Sequence, residues 1–273
     1  MFTELHFIAL TGYALTVAVV LIPFFKLRDT PASQMVPAVL TGIAVTAHFG
    51  GLVSYARVFG ALPLGGFAPS LSSLAFLLGL LSLGIQWLTR EGAIAIIAGP
   101  LGVLLLSVAL AGGFDPAPPA PAQDNAWFVL HIGASLLGLA LMTVAFAAAA
   151  LYLVQHRSLK QHHFGPAFQI LPPLEHLDRL NQLALTLGFP VLTLGVLLSA
   201  GYLGNDTGAG GARVAHLGWG LLSWLVLGAI AAQRLRGTLT GRRAAQASVV
   251  GFSAIVVTYF MLVTLAGAGS RFL

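Results

Sequence analysis

The stretch 128–155, FVLHIGASLLGLALMTVAFAAAALYLVQ, runs for 28 residues without an Asp, Glu, Lys or Arg. A helix that crosses the hydrocarbon core of a bilayer needs about 20 mostly apolar residues. This run is therefore read as a membrane span, with His131 at its start and Arg157 just beyond its end. Working outward from it, seven further runs of the same kind appear. The eight predicted spans are 5–25, 35–57, 69–89, 92–113, 127–154, 181–203, 214–233 and 244–267. The predicted fold is an all-α integral membrane protein: a bundle of eight transmembrane helices forming a single membrane domain over 1–273.

Composition supports the same reading. Charged residues make up 8% of the 273-residue chain and hydrophobic ones 58%, whereas an ordinary soluble domain is about 25% charged. So much apolar surface has no place to hide from water in a soluble enzyme of this size. The 32 glycines suit closely packed membrane helices. The chain has no cysteine, which excludes disulfides, thiolate metal sites, iron–sulfur clusters and a cysteine nucleophile. The net charge of +5 does not point to nucleic acid, because the basic residues flank the apolar runs.

Those flanking charges set an orientation. No Lys or Arg precedes the first run, while Lys26 and Arg28 follow it, so it reads as a retained span whose N-terminus lies outside rather than as a cleaved signal. With that start, ten of the 13 basic residues fall on the inner side. The outer side keeps Arg57, Arg213 and Arg271. Both termini are then predicted outside the cytoplasmic (inner) membrane of a bacterium. A Pro-rich acidic loop at 113–125 and a Gly-rich turn at 204–211 lie on the outer side. In the long inner loop, Pro172-Pro173 and the following LEHLDRLNQL predict a short interfacial helix over 174–182.

Histidine is the informative residue in such spans, because an ionisable group inside a membrane is costly and marks a functional interior by default. His156, His162, His163 and His176 share the inner loop, in irregular spacing without carboxylate partners. His6, His48, His131 and His216 all fall in the outer half. His131 and His216 open spans five and seven, and His48 sits about 13 Å below the outer end of span two at 1.5 Å per residue. Small residues share their faces: Ala44 and Gly51 with His48, Ser135 and Gly138 with His131, Gly220 and Ser223 with His216. Such faces let backbones approach and leave room for a flat ligand. The plainer reading is that each histidine hydrogen-bonds across the bundle.

Haem suits neutral imidazoles in an apolar, cysteine-free outer cavity. Zinc would need further ligands, and the spans hold no carboxylates for it. A proton path would need a polar chain through the inner half, and none is evident there. The expectation is that His131 and His216 are axial ligands of one haem iron, of b type, with Arg213 near a propionate. His48 is predicted to serve cofactor binding as a separate ligand or transit site.

Several stretches carry a family resemblance. The runs LPPLEHLDRLNQLALTLGFPVLTLGVLLSAGY (171–202) and HLGWGLLSWLVLGAIAAQRLRG with TGRRAAQASVVGFSAIVVTYF (216–260) resemble the cytochrome c assembly protein family, which includes CcsA-, HemX- and YpjD-like proteins. The stretch 128–155 resembles the family span with an outward histidine, here His131, and AHFGGL (47–52) resembles another, here His48. Haem-handling CcsA-type members carry a tryptophan-rich WWD segment where this chain reads GNDTGAGGAR, and a histidine where it reads Ala231-Ala232-Gln233. A further outer histidine is replaced by Gly269. The chain is closer to the HemX/YpjD branch, whose members place a histidine where His216 stands. The resemblance implies haem binding or handling in support of cytochrome c or haem-protein biogenesis, beside other cytochrome-assembly or respiratory membrane proteins in the lipid bilayer, without thioether-forming synthase activity. The alternatives are an accessory or regulatory subunit that kept the fold without haem, and a small-solute or ion transporter.

Overall fold

Where no water is available, each backbone N–H and C=O must be paired within its own segment, and a helix does this for every residue it contains. The computed structural model of the protein describes residues 2–25, 35–89, 94–114, 126–162, 171–200 and 211–265. Among these residues there are eight helices and no strand. They are α1 (Phe2–Phe25), α2 (Met35–Phe59), α3 (Phe67–Thr89), α4 (Ala95–Gly112), α5 (Ala126–Lys160), α6 (Leu174–Ala200), α7 (Gly211–Leu235) and α8 (Gly241–Leu265). The first six are long and apolar enough to cross a membrane. The other two carry Arg234 and the pair Arg242–Arg243 at their ends.

The helices pack as two rings of four. In the first, α1 contacts α2 and α4, and α3 contacts α2 and α4. In the second, α6 and α8 each contact both α5 and α7, which places α5 and α7 on a diagonal. The rings meet where α5 packs on α3 and α4. One apolar core bridges that seam, joining Leu78 of α3 to Met142 of α5, Leu185 of α6, Leu227 of α7 and Phe252 of α8.

Two expectations need revision. The segment predicted as a separate surface helix over 174–182 is the first part of α6, which runs unbroken to Ala200. Leu177 is buried, and Leu174 and Leu180 pack against the same cluster, while Glu175 and Arg179 are exposed. The three leucines, expected against lipid or the bundle, face the bundle, and the difference is that the segment continues without a break into the rest of α6. The second revision concerns polar groups. Thr16, Thr41, Ser82 and Gln86 are all buried in the first ring, toward the ends of α1 and α3 opposite Phe2. A polar chain does exist in the half of the membrane where the sequence showed none. The Pro-rich segment at 115–125, the Gly-rich turn through 210, His163 and the side chains of Arg213 and His216 lie outside the described residues.

Candidate functional site

Two histidine sites emerge, one in each ring. In the first, α1 brings His6 and α2 brings His48 to a ring separation of 5.2 Å, edge to face. Both are 0% exposed. Each points a nitrogen at one hydroxyl of α3: Ser72 Oγ lies 3.1 Å from His6 Nε2 and 2.9 Å from His48 Nε2. The remaining nitrogens are also engaged, His6 Nδ1 with the Phe2 carbonyl at 2.7 Å and His48 Nδ1 with Tyr13 Oη at 3.3 Å.

One group in this row has a fixed role, and it orients the rest. A carbonyl accepts only, so His6 Nδ1 carries its hydrogen and His6 Nε2 is the acceptor. Ser72 has one hydrogen and donates it to His6. Its oxygen then accepts from His48 Nε2–H, which leaves His48 Nδ1 to accept from Tyr13 Oη–H. The row is thus Tyr13 to His48 to Ser72 to His6 to the Phe2 carbonyl, with every hydrogen directed toward Phe2. Aromatic rings close that end: Phe114 lies 4.6 Å from the His6 ring, and Phe2, Tyr55 and Phe59 pack around it. Gly51 is needed here, since a Cβ at this position would come within 2.7 Å of His6 Nδ1.

His131 is arranged differently. It is half-buried in the second turn of α5, and its Nδ1–H donates to the Gly195 carbonyl of α6 at 2.7 Å. Its Nε2 has no partner among the described residues. A carbonyl on one nitrogen fixes the ring's orientation and tautomer and leaves the other nitrogen as the basic one. His216 lies in the first two turns of α7, on the helix diagonal to α5.

The small residues near His131 serve two purposes. Ser135, Gly138 and Gly195 are filled by helix contact: a Cβ on Gly138 would meet the Leu192 backbone at 2.8 Å, and one on Gly195 would meet Ser135 Oγ at 2.5 Å. They bring α5 and α6 together and leave no slot between them. Open space lies elsewhere, because a Cβ on Gly133, Gly218 or Gly220 would meet nothing within 4 Å. Thus the space expected beside each histidine is absent at Gly51 and Gly138 and open at Gly220, one turn from His216, while Gly133 and Gly218 look away from the histidine faces of their helices. Among the described residues no group of three or more His, Cys, Asp or Glu is placed to hold a metal ion, and His156 instead stacks on Tyr152 at 6.0 Å.

The sequence placed His6 among the outer-half histidines without giving it a role, and it did not single out Tyr13 or Ser72. His6 and Ser72 each lie in the second turn of their helices. That matched depth is the only hint the linear pattern carries.

Helices of this length and hydropathy, packed as two rings of four, define a multi-pass helical membrane protein. Its family follows from comparison with known proteins. The profile of the family described as Cytochrome C assembly protein matches residues 64–268, more than half of the chain, and the chain belongs to that family. It is similar to the cytochrome c biogenesis protein CcsA of Guillardia theta, 26% identical over 219 residues and covering 73% of each chain. It is also similar to CcsA of Synechococcus sp. (strain CC9605), 28% identical over 235 residues and 77% of each chain. A third relative, CcsA of Thermosynechococcus vestitus, is 29% identical over 188 residues, 56% of this chain and 59% of its own. The family match begins at residue 64, so it takes in Ser72, His131 and His216 and leaves out His6, Tyr13 and His48.

Proposed function

We propose that the protein serves cytochrome c assembly by holding haem at the Phe2 end of its second ring, between His131 and His216. The observation that carries this reading is His131: one nitrogen anchored on the Gly195 carbonyl, the other open, on a half-buried turn within the family match. The donor set fits the group, since imidazole is the commonest axial ligand of haem iron and the surroundings are apolar. Haem, when bound, would supply an iron that imidazole nitrogens ligate, and His131 and His216 would hold it. The chain's own part is to fix the tautomer of His131 through Gly195, to keep the site apolar with Trp219 and Leu136, and to leave the His216 face of α7 open at Gly220. His48 does not fit as it stands, because both its nitrogens are engaged and none of its surface is exposed. We therefore place it outside the haem site.

The same reading includes eight spans with both termini outside the inner membrane of a bacterium, by the ten-to-three charge asymmetry, and a b-type haem. It also places the chain nearer the HemX/YpjD branch, because no tryptophan stands between Leu203 and Arg213. The direct test is the absorption spectrum of the detergent-purified protein, as isolated and after titration with haem. A Soret band that is lost or shifted in both His131→Ala and His216→Ala, and kept in His48→Ala, supports the assignment. A wild-type protein that neither carries nor takes up haem overturns it in favour of an accessory subunit.

A further inference from the structure

We propose that the first turn of α8 binds the phosphate headgroup of an anionic phospholipid, with Tyr152 of α5 as a buried donor and Arg242 and Arg243 as cations. The first N–H groups of a helix have no acceptor within it, and those of α8 receive no side-chain cap among the described residues. An acidic residue offsets the positive end of many helices. This turn has none and carries two arginines instead. The helix dipole and both guanidinium groups therefore add up, and such an end binds a phosphate well.

A helix end alone is satisfied by water, and Tyr152 sets this one apart. It is 8% exposed, and its hydroxyl has no hydrogen-bond partner among the described residues. The hydroxyl is aimed at the helix end, since a Cβ on Gly241 would lie 3.1 Å from Tyr152 Oη. Gly241 also has a φ of 52°, a conformation that glycine adopts without strain. His156, one turn further along α5, stacks on the Tyr152 ring with the planes 9° apart and steadies it. The Asp178 carboxylate is committed to Arg234 at 2.6 Å. Hydroxyl, amides and guanidinium groups are all donors here, so the site suits a group that only accepts, such as a phosphate. The source is a lipid rather than the free ion, because of what lies beside the charge. Arg243 opens an exposed face of α8 that continues at Val250 and Val257, 67% and 65% exposed. A cationic head above an apolar track matches a phospholipid, and basic residues at the ends of membrane helices draw anionic headgroups. Tyr152 lies about 30 Å along α5 from His131, so none of this depends on the haem reading.

The test is native mass spectrometry of the full-length protein, stripped of lipid in detergent and titrated with phosphatidylglycerol or phosphatidylcholine. The wild type is expected to bind one phosphatidylglycerol saturably, about tenfold more tightly than phosphatidylcholine, whose choline cation meets the two arginines. Tyr152→Phe keeps the ring and removes only the donor. It should weaken phosphatidylglycerol binding about tenfold, the share of one hydrogen bond to a charged group. Arg243→Gln should weaken it about fivefold, and Arg243→Lys should restore most of the loss. Arg179→Gln, which removes an exposed cation of α6, leaves binding unchanged. Equal affinity for the two lipids, full binding in Tyr152→Phe, or equal losses in Arg179→Gln and Arg243→Gln overturns the site. Inorganic phosphate at equal concentration serves as competitor. Phosphatidylglycerol that stays bound supports the lipid assignment, and its displacement overturns that assignment in favour of the free ion.

Discussion

In the first ring of helices, His6 and His48 commit every ring nitrogen to the protein, whereas in the second ring His131 commits one and leaves the other open. Both sites are made of imidazole at similar depth in an apolar bundle, so the difference comes from their surroundings. His6 and His48 have a hydroxyl between them, a tyrosine behind and a lid of aromatic rings above. His131 has a carbonyl on one side and no hydrogen-bond partner on the other among the described residues. A buried polar group without a partner costs more than a partnered one gains, so a fully paired cluster resists ligands. A half-paired, half-buried histidine accepts one.

That contrast can be sharpened by mutation, beginning with the buried ion pair of the second ring. Arg234, with its side chain 3% exposed, holds Asp178 Oδ1 at 2.6 Å and also donates to the carbonyls of Asp178 and Leu239. Arg234→Met should lower stability by about 3–5 kcal/mol, read as a drop in the unfolding midpoint in detergent. A loss near zero would mean that α6 and α7 do not rely on this pair. Next comes the glycine contact between α5 and α6. Gly138→Ala drives a methyl into the Leu192 backbone and should cost about 2–3 kcal/mol. Gly133→Ala, facing open space, should be neutral or stabilising by up to about 1 kcal/mol. Equal effects at the two positions would contradict the packing described.

Smaller effects separate the two histidine sites. Ser72→Ala leaves His6 and His48 facing each other without their shared hydroxyl and should destabilise by about 2 kcal/mol. His131→Ala removes one hydrogen bond from a half-buried side chain, at a cost of about 1 kcal/mol. The comparison breaks if His131→Ala proves the more harmful of the two in thermal unfolding without haem. It is strengthened if added haem raises the midpoint of wild type and not of His131→Ala, since a ligand stabilises only the state that binds it.

The helices were legible because their signal is local. Each apolar run maps onto a helix, and 128–155 lies wholly within α5. His131 was legible for the same reason, as the one ionisable group at the start of a long apolar run. What escaped was pairing between distant segments. Ser72 looks like one of several small polar residues in SLSSLAF (70–76) until α1 and α2 bring His6 and His48 against it, contacts 66 and 24 residues apart in sequence. Thr41 and Gln86, 45 residues apart, meet in the same way. The reading of the glycine faces as sites of close approach holds at Gly51 and Gly138 and not at Gly220, and the partners were not evident. At Gly51 the space is taken by an imidazole and at Gly138 by a helix backbone.

The contact between α5 and α6 also has a mechanical meaning. At Gly138 and Gly195 the two helices approach so closely that neither has room to roll or slide past the other. They move as one plate, braced on the first ring through the contacts of α5 with α3 and α4. Opposite the plate stand α7 and α8, and among the described residues α7 packs on α6 and α8. The diagonal from α5 to α7 is thus held on one side by the plate, while α7 is tied to α6 at its far end by the Arg234–Asp178 ion pair.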